Sequence, residues 1–424
     1  MAEKKVFLFR SMASVIDQAL LSGLNLLIGL ALIRYASKET YGLYTQLFAA
    51  GLLTTILLDS LIGSALTTLS ARLPADERGR FVARAAKIHW VASALLAIPA
   101  GLVVGVLAKL LDFPVSPVVL GLSFSSFVFA QASREYCRTA LFIESQAVAV
   151  AKMDMVFVLV TIAGAAAFFM VGDIGTPHIF FLLTIANVVA SAAFSSTLWR
   201  STGRDIKWGQ YLADVNVLWS LSRWAVIGSV VGWLGNNSYL YFSGAIAGVV
   251  ALADLNAARL LLMPIVIVGM AWTTLARPAM GEMIANSKIH KLRQFVLKST
   301  LAMESFNLIY LGGLFVVYPW LIAHLFGEKY GDISNLILLW ACYFAVNTAR
   351  NVSTILLITY GIFRELFWQS VLSLIILVTL ILTLTPLFGV TGALTAMILA
   401  ELWQLAVNYG FMLPRARRQH LALK

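Results

Sequence analysis

The stretch Val118–Glu144 reads VVLGLSFSSFVFAQASREYCRTALFIE. It is largely apolar over Val118–Ala130, then carries Arg134, Glu135 and Arg138, then is apolar again over Thr139–Ile143. As a helix rising about 1.5 Å per residue, such a run crosses a hydrocarbon core of about 30 Å. Fixed charge inside it is expensive, and an intramembrane ionisable residue is by default a sign of function. Arg134 and Arg138 stack on one helix face, and Glu135 reaches Arg138. On its own the cluster in Gln131–Glu144 is net cationic and cannot neutralise itself. Two readings stand side by side. It is part of a polar path through a membrane protein, or it marks a helix end at the cytoplasmic interface.

The rest of the chain repeats the apolar pattern. The 424 residues are 60% hydrophobic and 12% charged, where a soluble domain is about 25% charged. Twelve apolar spans are predicted: Ser11–Tyr35, Tyr41–Leu69, Arg84–Leu110, Val118–Phe142, Ala147–Val171, Pro177–Leu198, Val217–Gly244, Ala247–Leu275, Phe295–Val317, Ile333–Thr359, Leu366–Leu387 and Val390–Leu413. The runs are continuous rather than alternating, so they predict an all-α polytopic membrane protein and not a barrel. The basic start, Met1–Arg10, resembles a signal peptide's. The following run contains Asp17, Gln18 and Asn25 and has no convincing cleavage site, so it reads as a retained first span.

Basic residues set the orientation. With the N-terminus inside, the inner segments hold 22 of the 31 Lys and Arg. The outer loops hold Lys38, Lys109 and Lys329, and the spans hold Arg34, Arg134, Arg138, Arg223, Arg259 and Arg350. Both termini are therefore predicted to be cytoplasmic. This asymmetry explains most of the net charge of +11, and no nucleic-acid partner is needed. Six spans precede the Arg200–Asn216 loop and six follow it. The expected organisation is two six-helix lobes, 1–205 and 206–424, around a central cavity, related as parallel repeats.

Candidate site residues follow from depth. Arg259 lies about twelve residues, or about 18 Å, into its span, near the midplane. Counting from Val118 puts Arg134 and Arg138 in the inner half with Arg350, as an inner-leaflet gate, while Arg223 lies nearer an inner helix end. These five arginines are candidates for a cationic substrate cavity, because a guanidinium offers phosphate a planar fork and keeps its charge. Asp59, Asp254 and Glu401 are candidates for binding a coupling proton or sodium ion. The competing reading of these groups is buried ion pairs that hold spans together. Lys152 with Asp154 reads as an inner-rim pair. Gly235-Asn236-Asn237 suggests a polar helix break facing water, or hydrogen bonding among helices. Cys137 and Cys342 form no disulfide framework, and the five histidines have no metal-ligand spacing. There is no phosphate loop, so neither a metal nor a nucleotide cofactor is expected.

Several short motifs carry a resemblance. They are Leu32-Ile33-Arg34-Tyr35 with Glu39-Thr40-Tyr41-Gly42-Leu43-Tyr44, Ala253–Arg259 into Pro264, Ala276-Arg277-Pro278, Phe326-Gly327-Glu328-Lys329-Tyr330, and Phe388–Ala393 with Glu401. In order and spacing they resemble the polysaccharide (O-antigen, lipid-linked oligosaccharide) flippases of the multidrug/oligosaccharidyl-lipid/polysaccharide exporter superfamily. One departure is Ala251-Leu252-Ala253, where a Gly-x-Tyr often precedes the paired alanines. The resemblance implies a non-enzymatic flippase of the bacterial inner membrane. It would move a polyprenyl-diphosphate-linked glycan from inner to outer leaflet by alternating access, driven by an ion gradient or the membrane potential. Implied partners are that lipid, the bilayer and other membrane proteins of lipopolysaccharide or exopolysaccharide assembly. The alternatives are a drug/cation antiporter of the same superfamily and a membrane-embedded polymerase or glycosyltransferase.

Overall fold

The computed structural model describes residues 20–171, 175–194, 208–327 and 329–422. The basic start Met1–Arg10, Asp17, Gln18, the first part of the Arg200–Asn216 loop and Glu328 lie outside the described residues. Among the described residues every regular element is helical. The helices are α1 (Leu20–Tyr35), α2 (Lys38–Ser70), α3 (Ala75–Leu110), α4 (Pro117–Ile143), α5 (Ala147–Val171) and α6 (Thr176–Phe194). They continue with α7 (Trp208–Ala247), α8 (Val249–Leu261), α9 (Met263–Ala285) and α10 (Ile289–Phe326). The chain closes with α11 (Ser334–Thr359), α12 (Phe363–Val407) and α13 (Leu413–Ala422).

Among the described residues, eight helices are long and apolar enough, by length and composition alone, to cross a membrane. One of these stretches, Phe363–Arg418, contains two expected spans. Gly389 divides it, at φ +61°, a conformation that glycine adopts without the Cβ clash. Gln369 donates to Asn408 and Gln404 to Ser373, so the arms 363–388 and 390–407 run antiparallel. Helices α4 and α11, at 27 and 26 residues, also have the length to span. They are less apolar because they carry the buried polar groups described below. Val316, Ile309 and Leu95 are 82%, 75% and 69% exposed. Side chains of that kind in that number suit lipid and not water.

The predicted breaks hold better than the predicted ends. Helix α3 starts about two turns before the predicted span, and α10 runs through Pro319 to Phe326. Turns that leave the apolar core remain helical, and hydropathy does not register them. The eighth span is two helices with only Leu262 between them. Pro264 lacks an N–H and its ring crowds the preceding turn, which ends α8 there. The expected break at Gly235-Asn236-Asn237 is absent, because α7 is continuous across it. Asn236 donates to the Gly232 carbonyl (2.8 Å) and Asn237 to the Trp233 carbonyl (3.0 Å). Each amide is satisfied by its own helix four residues back.

Packing divides the chain into two compact units. Unit 1 holds the chain up to Ile28 and Gln46–Val230; unit 2 holds Gly29–Thr45 and Val231–Lys424. In unit 1, α4 is the central helix and buries Phe124, Phe127 and Arg134. It meets α3 backbone to backbone: a Cβ on Gly101 would lie 2.6 Å from the Gly121 carbonyl oxygen. In unit 2, α11 is central. Its Trp340, 1% exposed, donates from Nε1 to the Leu255 carbonyl of α8 (2.9 Å). The hairpin of Gly29–Thr45 packs on α8, with Gly29 against Leu260 and Gly42 against the Val249 carbonyl.

Candidate functional site

Unit 1 answers the question posed by the cluster on α4. Arg134 donates from Nε to Asn187 Oδ1 (2.7 Å) and from Nη2 to Glu135 (2.7 Å), and from Nη1 it pairs with Asp154. Arg138 donates to Asp154 Oδ2 and to Glu135 Oε2, each at 2.8 Å. Two guanidinium groups thus share two carboxylates, and Phe157 lies 4.2 Å from the Arg134 guanidinium carbon. The cluster is not net cationic: Asp154, fully buried on α5, neutralises it. Lys152 is exposed and is not the partner of Asp154. Arg134 and Asp154 both showed in the sequence as charges inside apolar spans; their pairing, across 20 residues and between two helices, had no sequence signal.

Beside this network lies a cavity of about 320 Å³ lined by Asp59, Ser60, His89, Glu135, Tyr136 and Ser229. Asp59 opens a π turn, Asp59–Gly63, a widened helical turn of the kind often found at functional sites. Its Oδ1 occupies the place a Cβ on Gly63 would take. Among the described residues no side chain hydrogen-bonds to or pairs with the Asp59 carboxylate. Glu135 faces the same cavity while bound to both arginines. Arg223 lies exposed on α7 and does not join this group.

In unit 2 the break before Pro264 leaves Arg259 in the last turn of α8. The partial negative charge of a helix C-terminus favours a cation there. Arg259 donates from Nη1 to the Tyr239 hydroxyl (3.0 Å), which in turn donates to Asn256 Oδ1 (3.3 Å). Its guanidinium carbon lies 5.6 Å from the Trp340 ring centroid, within range of a cation–π contact. No carboxylate lies within ion-pair distance of Arg259 among the described residues. It lines a cavity of about 360 Å³ with Asn236, Tyr239, Trp272, Tyr343, Asn347 and Arg350. A smaller cavity of about 160 Å³ shares Asn236, Tyr343 and Arg350 and adds Glu401.

The remaining candidates are paired. Arg350 donates from Nε and Nη2 to the two oxygens of Glu401, at 2.7 and 3.3 Å. Asp254 lies 2.6 Å from Lys38 Nζ. Of the five candidate arginines, Arg259 alone is a cavity-lining cation without a carboxylate partner. Of the three candidate coupling acids, Asp59 alone has no cation. Asn236 lines both cavities, whereas Asn237 lines neither.

No protein-family model and no curated relative matches the sequence. Solved structures do match its fold. The chain is similar to an inward-facing multidrug resistance MATE family transporter of the MOP superfamily, with TM-score 0.70, 14% identity and 94% of each chain covered. It is similar to the lipid II flippase MurJ in an inward closed conformation, with TM-score 0.68, 12% identity, and 95% of this chain and 86% of that one covered. A third is a MOP superfamily transporter from Pyrococcus furiosus Vc1, for which a reversed polarity of the binding pocket suggests a different function. Its TM-score is 0.65 at 14% identity, over 99% of this chain and 96% of that one. The chain thus has the all-helical, multi-pass fold of MOP superfamily transporters and flippases, the superfamily its motifs resembled.

Proposed function

We propose that the chain is a flippase that moves a polyprenyl-diphosphate-linked oligosaccharide from the inner to the outer leaflet of a bacterial cytoplasmic membrane, with both termini on the cytoplasmic side. The observation that carries this reading is Arg259. A guanidinium held by a phenol, two rings and a helix end, and by no carboxylate, keeps its charge free for an anion. Aromatic and amide side chains around it, Trp272, Tyr343, Asn347 and Asn351, offer the surfaces and donors that a sugar needs. Arg350, neutralised by Glu401, orients but adds little net charge. Arg134 and Arg138 serve as scaffold beside a gate and do not bind the diphosphate. Asp59 is the carboxylate best placed to take up a coupling cation or proton. The fold likeness to a lipid II flippase supports a lipid-linked substrate.

The test is glycan translocation in proteoliposomes, read as oligosaccharide accessible to an added glycosidase. Arg259→Ala is expected to lower the rate about ten- to a hundredfold, the loss of one charge-assisted hydrogen-bonding group, and Arg259→Lys to recover part of it. Full translocation by Arg259→Ala overturns the proposal. The unit 1 cavity favours a second reading, because Asp59 and Glu135 line it. An acidic cavity suits a drug/cation antiporter. Proton-driven efflux of ethidium that depends on Asp59 and is indifferent to Arg259 would establish that reading instead.

A further inference from the structure

At one end of unit 2 the two arms of α12 meet α13 around a crevice of about 510 Å³. Gln369, which lines it, is held in a hydrogen-bond set behind the crevice. Gln369 donates to Asn408 Oδ1 (2.7 Å), and Asn408 donates to Ser353 (2.8 Å) and Thr354 (3.2 Å) on α11. The Gln369 amide N–H groups are therefore spent on the protein. The wall is apolar and aromatic: Trp368, Leu372, Trp403 and Phe411. Trp368 and Phe411 are 60% and 62% exposed.

Two arginines, Arg364 and Arg415, line the same crevice. Neither has an ion-pair or hydrogen-bond partner among the described residues. Glu365 also lines it, so the crevice carries one net positive charge. Arg415 is not on a loose tail. Leu413 and Ala416 of α13 are buried with Met280, Leu356 and Leu357 in one core cluster, which leaves Arg415, Arg417 and Arg418 facing outward. The crevice shares no lining residue with the Arg259 cavity.

We propose that this crevice binds one anionic phospholipid, its phosphodiester held by Arg364 and Arg415 and its acyl chains lying along Trp368, Trp403 and Phe411. Charge complementarity selects the headgroup. Two guanidinium forks suit a phosphate, and a zwitterionic headgroup brings its own cation to compete. The aromatic wall selects a lipid over a soluble anion, since tryptophan at the end of a span sits at headgroup depth with its ring toward the chains.

Native mass spectrometry of the detergent-purified protein tests this, using phosphatidylglycerol and phosphatidylcholine of identical chains. The wild type is expected to bind phosphatidylglycerol roughly tenfold more tightly, in line with the attraction of two basic residues at a membrane surface. R364Q/R415Q is expected to bring the two lipids level. R293Q, at an exposed arginine outside the crevice, is expected to keep the preference. W368A is expected to weaken both lipids. No preference in the wild type, a preference that survives R364Q/R415Q, or displacement of phosphatidylglycerol by millimolar inorganic phosphate each overturns the proposal. Unchanged elution and melting of R364Q/R415Q, expected because both side chains are exposed, tie the loss to the headgroup contact.

Discussion

Arginines at 134, 138, 259 and 350 look alike in the sequence, each a costly charge in an apolar run. What separates them is whether an acid meets them, and that is a tertiary fact. Asp154 and Glu401 arrive from other helices. The depth estimate singled out Arg259, but its lack of a carboxylate partner was not legible. The difference is measurable as stability. Asp154→Asn leaves Arg134 and Arg138 without their shared anion at a fully buried site, so a loss of about 3–5 kcal/mol is expected, seen as a clear drop in melting temperature. Arg259→Gln should change stability by less than about 1 kcal/mol, because it removes no ion pair. Equal melting of the two variants would mean that scaffold and site have been assigned the wrong way round.

Among the elements, the break at Gly389 was legible, since one expected span ends at Leu387 and the next begins at Val390. The break before Pro264 was not, since a single span, Ala247–Leu275, was expected across it. Gly235-Asn236-Asn237 only permits a break, and back-bonding to Gly232 and Trp233 removes the reason for one. The hairpin of Gly29–Thr45 was the least legible element, since nothing local says that it packs on α8. Lys38 pairs with Asp254, and Lys329 donates to the carbonyls of Arg34 (3.0 Å) and Ala36 (3.2 Å). A double-mutant cycle over Lys38→Met and Asp254→Asn should give a coupling on the order of 1 kcal/mol, toward the upper end for a partly screened pair. Additive effects of the two changes would show that packing at Gly42, and not the ion pair, fastens the hairpin.

For the molecule as a whole, the membrane class was written in the apolar runs. Their continuity over about twenty residues admits few other folds. The grouping of helices was not written there, because each unit draws on contacts between segments far apart in sequence. Orientation rests on the charge count and is open to direct measurement. In a Cys137/Cys342-free background, K109C and K329C are expected to react with an impermeant maleimide added to intact cells, and R415C only after permeabilisation. The reverse labelling would invert the topology.

The placement of Gly29–Thr45 in unit 2 also bears on synthesis. Lys38 leaves the ribosome about two hundred residues before Asp254, its partner. At about 5–20 residues per second, that is an interval of roughly ten to forty seconds. For that time the hairpin is in the bilayer with a lysine unpaired, two glycines bare of their neighbours and no surface of its own to close against. The second unit therefore cannot be completed by the segments that are made last. It must retrieve a piece from the start of the chain, and the interval before retrieval is when the nascent protein is most exposed to quality control.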